Sequence, residues 1–425
     1  MTAISIGQAA DGKRNNFHLI RLIAALLVIY GHCYPISGNQ GPDFIQQALH
    51  IRFAGSLATD TFFLISGFLI TSSMEKSTLY HYLWARFLRI FPALLVCVAL
   101  MVLVMGPLVT SDTGYWHNPQ VWSFWRGAST LTGGPGTLPG VFDNAPRPAT
   151  NGSLWTLNIE VRLYLMVFAF ACLRMLKGKR LEWLILAALV VGYFYIPRFW
   201  PFSFLTVTDR WITPIALFLM GSFIWRCRYS IPLSFPLLAL FLFVAAMFID
   251  TPKFEVAYFA CLSYMVFFIG YVPVLPAIRY RDLSYGVYLY GWPIQQLVEY
   301  FRPGSTAMFN MVWSMALALV MAFLSWELLE KHALRFKTRV TTPGNDLVRV
   351  GQWLRILPAN FRTSATPSTA EVAAADVAAK DTMVNAAPAE DTAVKDVMAE
   401  ATVFTPSISS EAAEEIQVTP VSPIA

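Results

Sequence analysis

Long apolar runs separated by short polar joints dominate this chain. The runs fall at approximately 19–36, 56–74, 91–110, 154–173, 182–196, 211–225, 232–249, 256–274, 284–300 and 307–329. Crossing a hydrocarbon core takes about 20 predominantly apolar residues, with a range of about 17 to 25. The pattern therefore predicts an all-α fold, a polytopic membrane helix bundle of about ten transmembrane helices. Two runs, 182–196 and 211–225, are short and read as tilted or re-entrant elements.

Beyond about residue 341 the pattern stops. "TPSTAEVAAADVAAKDTMVNAAPAEDTAVKDVMAEA" is rich in Ala, Thr, Pro and acids and poor in aromatics. Such a segment buries too little apolar area to offset its ordering entropy, so 341–425 is expected to be a disordered tail. The division that follows is a short N-terminus (1–16), a transmembrane domain (17–340) and the tail.

Composition agrees with the membrane reading. The chain is 56% hydrophobic and 13% charged, with mean hydropathy +0.52, whereas soluble domains carry about 25% charged residues. Five scattered cysteines, an odd number in or beside apolar runs, argue against a disulfide framework and show no metal spacing. The first apolar run lacks a following small-residue cleavage site and reads as a retained span. With the N-terminus inside, the inner joints hold 17 Lys and Arg against 7 outside, which places both termini in the cytoplasm. The net charge of +5 is thereby explained as topology, without a nucleic-acid partner. The longest outer joint, 111–153, carries Trp116, Trp122 and Trp125; these serve as interface anchors, with glycan stacking as the alternative.

Four stretches carry candidate chemistry. In "RLIAALLVIYGH", Arg21 and His32 are eleven residues apart. At about 100° per residue they share one helical stripe, separated by about 16 Å along the axis. "TDTFFLISGFLIT" puts Asp60 at the outer end of the second span, where a carboxylate needs a partner; its Ser66-Gly67 pair suits close helix packing. In "YHYLWARFLRIFP", Arg86 and Arg89 share a face at the inner mouth of the third span. They are either positive-inside anchors or a fork for phosphate. "NGSLWTLNIEVRLY" has Asn151 or Ser153 as a helix cap and places Glu160 about 10 Å inside the outer boundary. His32, Asp60 and Glu160 thus fall in the outer third, with Arg21, Arg86 and Arg89 toward the inner side.

Taken together and in order, these motifs resemble the membrane acyltransferase-3 family, bacterial enzymes that O-acylate surface and exported glycans. "LSYGVYLYGWPI" (283–294) and "FLSWELLEKHALR" (323–335) look like the family's last two helices, so the resemblance covers about residues 16 to 337. Two positions depart from it. Gly291 stands where many members carry a His, and His332 where Pro often follows Glu-Lys.

The resemblance implies an O-acyltransferase of the bacterial inner membrane. Acyl-CoA, as acetyl-CoA, would be the cytoplasmic donor, and a glycan or lipid-linked saccharide would be the acceptor on the far side; no metal is implied. His32 would be the base or the acyl carrier, oriented by Asp60 or Glu160. Arg21, Arg86 and Arg89 would hold the donor, and Ser153, Trp155 and Tyr164 would contact the acceptor. A multi-span transporter of a small anionic or sugar-linked solute would also keep intramembrane His, Arg and Glu, but internal repeats and broken helices are not evident in the sequence.

Overall fold

A computed structural model describes residues 4–12, 15–39, 41–49, 52–172, 209–251, 253–271 and 281–337. These lie in the first of two compact units, Met1–Val348. The candidate span 182–196 and the tail 341–425 lie outside the described residues.

The described residues are helical, with no strand among them and a single isolated bridge between Ser5 and Pro232. In chain order the helices are α1 (Ile6–Asp11), α2 (Phe17–Ile36), α3 (Phe44–Leu49), α4 (Ala54–Lys76), α5 (Leu79–Val109) and α6 (Pro119–Thr130). They continue as α7 (Leu154–Cys172), α8 (Asp209–Arg226), α9 (Phe235–Met247), α10 (Phe254–Tyr271), α11 (Ser284–Phe301) and α12 (Ala307–Arg335). Six of these, α2, α4, α5, α7, α10 and α12, are long and apolar enough to cross a membrane. The apolar helices α8 and α9 are shorter.

Hydroxyl and amide side chains start several helices. Thr78, Asn118, Ser234 and Thr306 each accept a hydrogen bond from a backbone N–H in the first turn of the helix that follows, filling donors that would otherwise be orphaned. The joint 111–153 is more structured than its sequence suggested, because α6 is a 12-residue helix within it. Val121 and Phe124 of α6 turn into the core while Trp122 is exposed, the layout of an interfacial helix.

At the centre, α2 packs between α4 and α11, α4 packs on α8, and α11 packs on α12. The α4–α8 contact is built on glycine. A Cβ at Gly67 would fall 1.9 Å from the Phe218 carbonyl oxygen, and one at Gly221 would fall 2.1 Å from that of Leu64. Small residues let membrane helices approach closely, and of the Ser66-Gly67 pair it is Gly67 that fills the packing role. The α11 helix is buried from Ser284 through Gln296 although it carries Tyr, Gln and Ser. Several of its polar atoms are bonded inside the bundle: Tyr285 donates to the Ile90 carbonyl at 2.7 Å, and Gln295 donates to the Ile29 carbonyl at 2.8 Å. Those bonds explain how a weakly apolar helix occupies the middle of the bundle.

Candidate active site

His32 sits one turn from the end of α2. Its Nδ1 lies 2.7 Å from the Val28 carbonyl oxygen. A carbonyl only accepts, so Nδ1 carries the hydrogen, and in the neutral ring Nε2 keeps the lone pair. Nε2 has no partner among the described residues. The ring is held edge-on between Phe53 and Trp292, with centroid distances of 5.5 and 4.9 Å. Gly55 makes room for it: a Cβ there would lie 2.9 Å from the imidazole Cε1.

His32 faces a cavity of about 750 Å³, called outer after the orientation expected from the sequence, that is also lined by Arg52, Asp60, Arg147, Ser153, Trp155 and Trp292. Asp60, 2% exposed, accepts a hydrogen bond from Tyr258 at 2.9 Å and lies 3.7 Å from Arg52. Arg52 is also paired with Glu255 at 2.6 Å. Asn151 shapes the start of α7 by accepting from the Ser153 backbone N–H at 3.0 Å and donating to the Leu289 carbonyl at 3.1 Å.

A second cavity of about 290 Å³, called inner on the same expectation, is lined by Arg21, Ser66, Arg86, Arg89, Glu160, Tyr164, Asp282 and Lys337. Tyr164 donates to Glu160, and Ser66 donates to the same carboxylate at 3.1 Å. The cations differ in their partners. Arg89 is 2.6 Å from Asp282 and 3.4 Å from Glu330, while Arg21 is 3.2 Å from Asp282. Glu330 reaches Arg89 from a wide turn in α12, Trp326–Glu330. Burial raises the Asp282 carboxyl, but Arg89 and Arg21 outweigh it and hold it well below the usual carboxylate range. Arg86 has no ion-pair partner among the described residues; its Nε is buried without a hydrogen bond, and its guanidinium lies 6.0 Å from the Tyr164 ring. Burial and the Arg86 charge lower the Lys337 ammonium from its ordinary value. Two cations therefore lie close together on this cavity.

Thr59 and Tyr288 line both cavities. The Tyr288 hydroxyl is hydrogen-bonded to Thr156 and donates to the Ser153 carbonyl at 3.3 Å. The α2 helix runs along both cavities, with Arg21 on the inner one and His32 on the outer one.

The sequence candidates sort cleanly. His32, Asp60, Ser153 and Trp155 meet in the outer cavity; Arg21, Arg86, Arg89, Glu160 and Tyr164 meet in the inner one. The anticipated imidazole–carboxylate bond is not formed: Nδ1 is on Val28, Asp60 is on Tyr258 and Arg52, and Glu160 belongs with Ser66 and Tyr164. Tyr164 stands apart from Ser153 and Trp155, because about two and a half further turns of α7 beyond Trp155 carry it into the inner cavity. Sequence reasoning passed over Arg52, Arg147 and Lys337, which it counted as topology charges, and Asp282, Tyr258 and Tyr288. A lone acid beside a span is the only signal Asp282 gave, and a tyrosine within an apolar run the only one for Tyr258 and Tyr288.

Among the described residues, an imidazole nitrogen without a partner in one cavity and cations without ion pairs in the adjoining one suit group transfer. The chain belongs to the acyltransferase-3 family: residues 14–329 match Acyl_transf_3, described as an acyltransferase domain. It is an acyltransferase. It is similar to the O-acetyl transferase of Shigella phage Sf6, 28% identical over 344 residues that cover 77% of this chain and 97% of the relative. It is also similar to Nodulation protein 10 of Rhizobium leguminosarum bv. viciae, 28% identical over 380 residues that cover 77% of this chain and 95% of the relative. No solved structure matches the chain significantly.

Proposed function

We propose that the protein is an O-acyltransferase that moves an acetyl group from cytoplasmic acetyl-CoA to a hydroxyl of a surface or exported glycan. The observation that carries the reading is the pairing of a cation without a counter-ion, Arg86, in the inner cavity with a free His32 Nε2 in the outer one. The phage relative's name supports acetyl transfer to oxygen. The 17-to-7 distribution of Lys and Arg supports an inner-membrane orientation with the Arg86 side facing the cytoplasm.

The buried, unbonded Nε of Arg86 fits a phosphate, and Lys337 adds a second positive charge. Arg21 and Arg89 are held by Asp282 and Glu330, so they shape this end of the cavity and the binding charge falls to Arg86 and Lys337. Bound there, acetyl-CoA supplies an activated acyl carbon. His32 takes the acceptor hydroxyl proton on Nε2 as the hydroxyl oxygen bonds to that carbon. It returns the proton to the sulfur released as the C–S bond breaks. The Val28 carbonyl holds Nδ1–H through both steps and keeps the ring in one tautomer. Trp292 and Phe53 fix the ring plane, and Asp60 supplies a negative charge within the same cavity.

Mass spectrometry of exported polysaccharide from cells with the protein, without it, and with His32→Ala tests the proposal. Acetyl esters should be present in the first case and lost in the other two. Identical ester content in all three would overturn it.

A further inference from the structure

The outer cavity has a neighbour on the side of Arg147. A further cavity of about 780 Å³ adjoins it, and Pro35, Phe53 and Arg147 line both. Its far wall carries Tyr34, Asn39 and Gln46. Arg147 is held at the junction by its backbone. Gln296 donates from Nε2 to the Arg147 carbonyl and, at 2.8 Å, to that of Ala149. Gly38, at φ 75°, keeps the opposite loop in a left-handed conformation beside Pro146.

The charges at the junction are unequal. Arg52 is engaged by Asp60 and Glu255, and the Asp43 oxygens accept the backbone N–H groups of Gln46 and Ala54 at 2.9 Å. Arg147 has no carboxylate partner among the described residues. On the far wall the Gln46 amide has no internal partner among the described residues, and Asn39 uses its NH2 group on Ser37 and keeps its oxygen free. Amides of this kind meet hydroxyl-rich ligands as both donors and acceptors, and a guanidinium matches carboxylate or phosphate. Small-molecule sites occupy about 300–1,000 Å³, and each cavity alone lies within that range. A single sugar beside His32 leaves the second cavity unfilled.

We propose that the joined outer cavities bind an acidic oligosaccharide. The unit to be acylated lies at His32, its neighbour lies against Tyr34, Asn39 and Gln46, and a carboxylate or phosphate of the chain sits on Arg147. This rests on the glycan-acceptor reading above and adds that the acceptor is oligomeric and anionic.

The test uses the full-length protein in lipid nanodiscs with acetyl-CoA. Acceptors are deacylated fragments of the producing cell's own polysaccharide, graded from one unit upward and supplied native, carboxyl-reduced or dephosphorylated. In the wild type, kcat/KM should rise about tenfold from single unit to oligomer, and fall about tenfold when the recognised anion is removed. The treatment that causes the fall tells carboxylate from phosphate. Arg147→Gln should abolish the preference for the charged fragments, Arg147→Lys should keep part of it, and Asn39→Ala with Gln46→Ala should flatten the length dependence. Equal wild-type kcat/KM at all lengths, or on native and neutralised fragments, overturns this inference and leaves glycan acylation standing. Failure to acylate any fragment while acetyl-CoA is consumed overturns both.

Discussion

Arg86 and Arg89 are three residues apart on one helix, yet their substitution should have opposite consequences. Arg89→Ala removes the cation between Asp282 and Glu330, whose residues are 8% and 3% exposed. Breaking a buried pair in this way costs about 3–5 kcal/mol, because Glu330 loses its cation while Asp282 keeps Arg21. Arg86→Ala removes a cation that has no carboxylate partner, so folding loses no ion pair. Its cost should appear in donor binding, where a hydrogen bond to a charged group contributes about 1.5–3 kcal/mol, or roughly 10- to 150-fold in Kd. The assay is titration calorimetry with a non-hydrolysable acetyl-CoA analogue in nanodiscs, beside thermal unfolding of the same samples. Arg86→Ala should bind at least tenfold more weakly at an unchanged midpoint, and Arg86→Lys should recover part of the loss. Arg89→Ala should unfold several degrees lower. Wild-type donor affinity in Arg86→Ala, or an undiminished midpoint in Arg89→Ala, would refute the division of labour.

Two further consequences concern the scaffold. Gly67→Ala drives a Cβ into the Phe218 carbonyl, which belongs to a helix backbone and has no rotamer by which to yield; overpacking of this kind costs about 1–3 kcal/mol or more. Thermal unfolding should show the loss, with Gly41→Ala, placed in open space, unchanged. The depressed Asp282 carboxyl contributes stability that is fully present above the unfolded-state value of about 3.9 and is lost as pH falls from there toward its folded value. Unfolding midpoints taken between pH 7 and pH 3 should therefore drop below about pH 4 in the wild type, and Asp282→Asn should lose part of that acid-side drop while starting lower at pH 7.

The helices around the site were legible because hydrophobic periodicity is a local signal. The same arithmetic placed Arg21 and His32 on one stripe, and the structure uses that stripe to line two cavities with one helix. Pairing was not legible. Arg21 and Arg89 meet Asp282 across 261 and 193 residues of sequence, and nothing near Asp282 marks it as their partner. His32 misled in a different way: a carboxylate partner was sought far along the chain, while Nδ1 bonds to a carbonyl four residues back on its own helix. Arg147 was counted as an outer-loop charge because topology rules weigh charges without regard to what they face. Arg147 is exposed yet lines two cavities, and the long-range bond from Gln296 that holds its backbone there is set by tertiary structure alone.

The central claim is that the His32 Nε2 lone pair carries the proton in acyl transfer. Its most direct test is the turnover of purified, folded His32→Ala with acetyl-CoA and the deacylated polysaccharide, measured with its unfolding midpoint. General base catalysis contributes about 10²- to 10⁴-fold, so turnover should fall at least about a hundredfold while the midpoint stays near that of the wild type. Near wild-type turnover per folded molecule would contradict the mechanism.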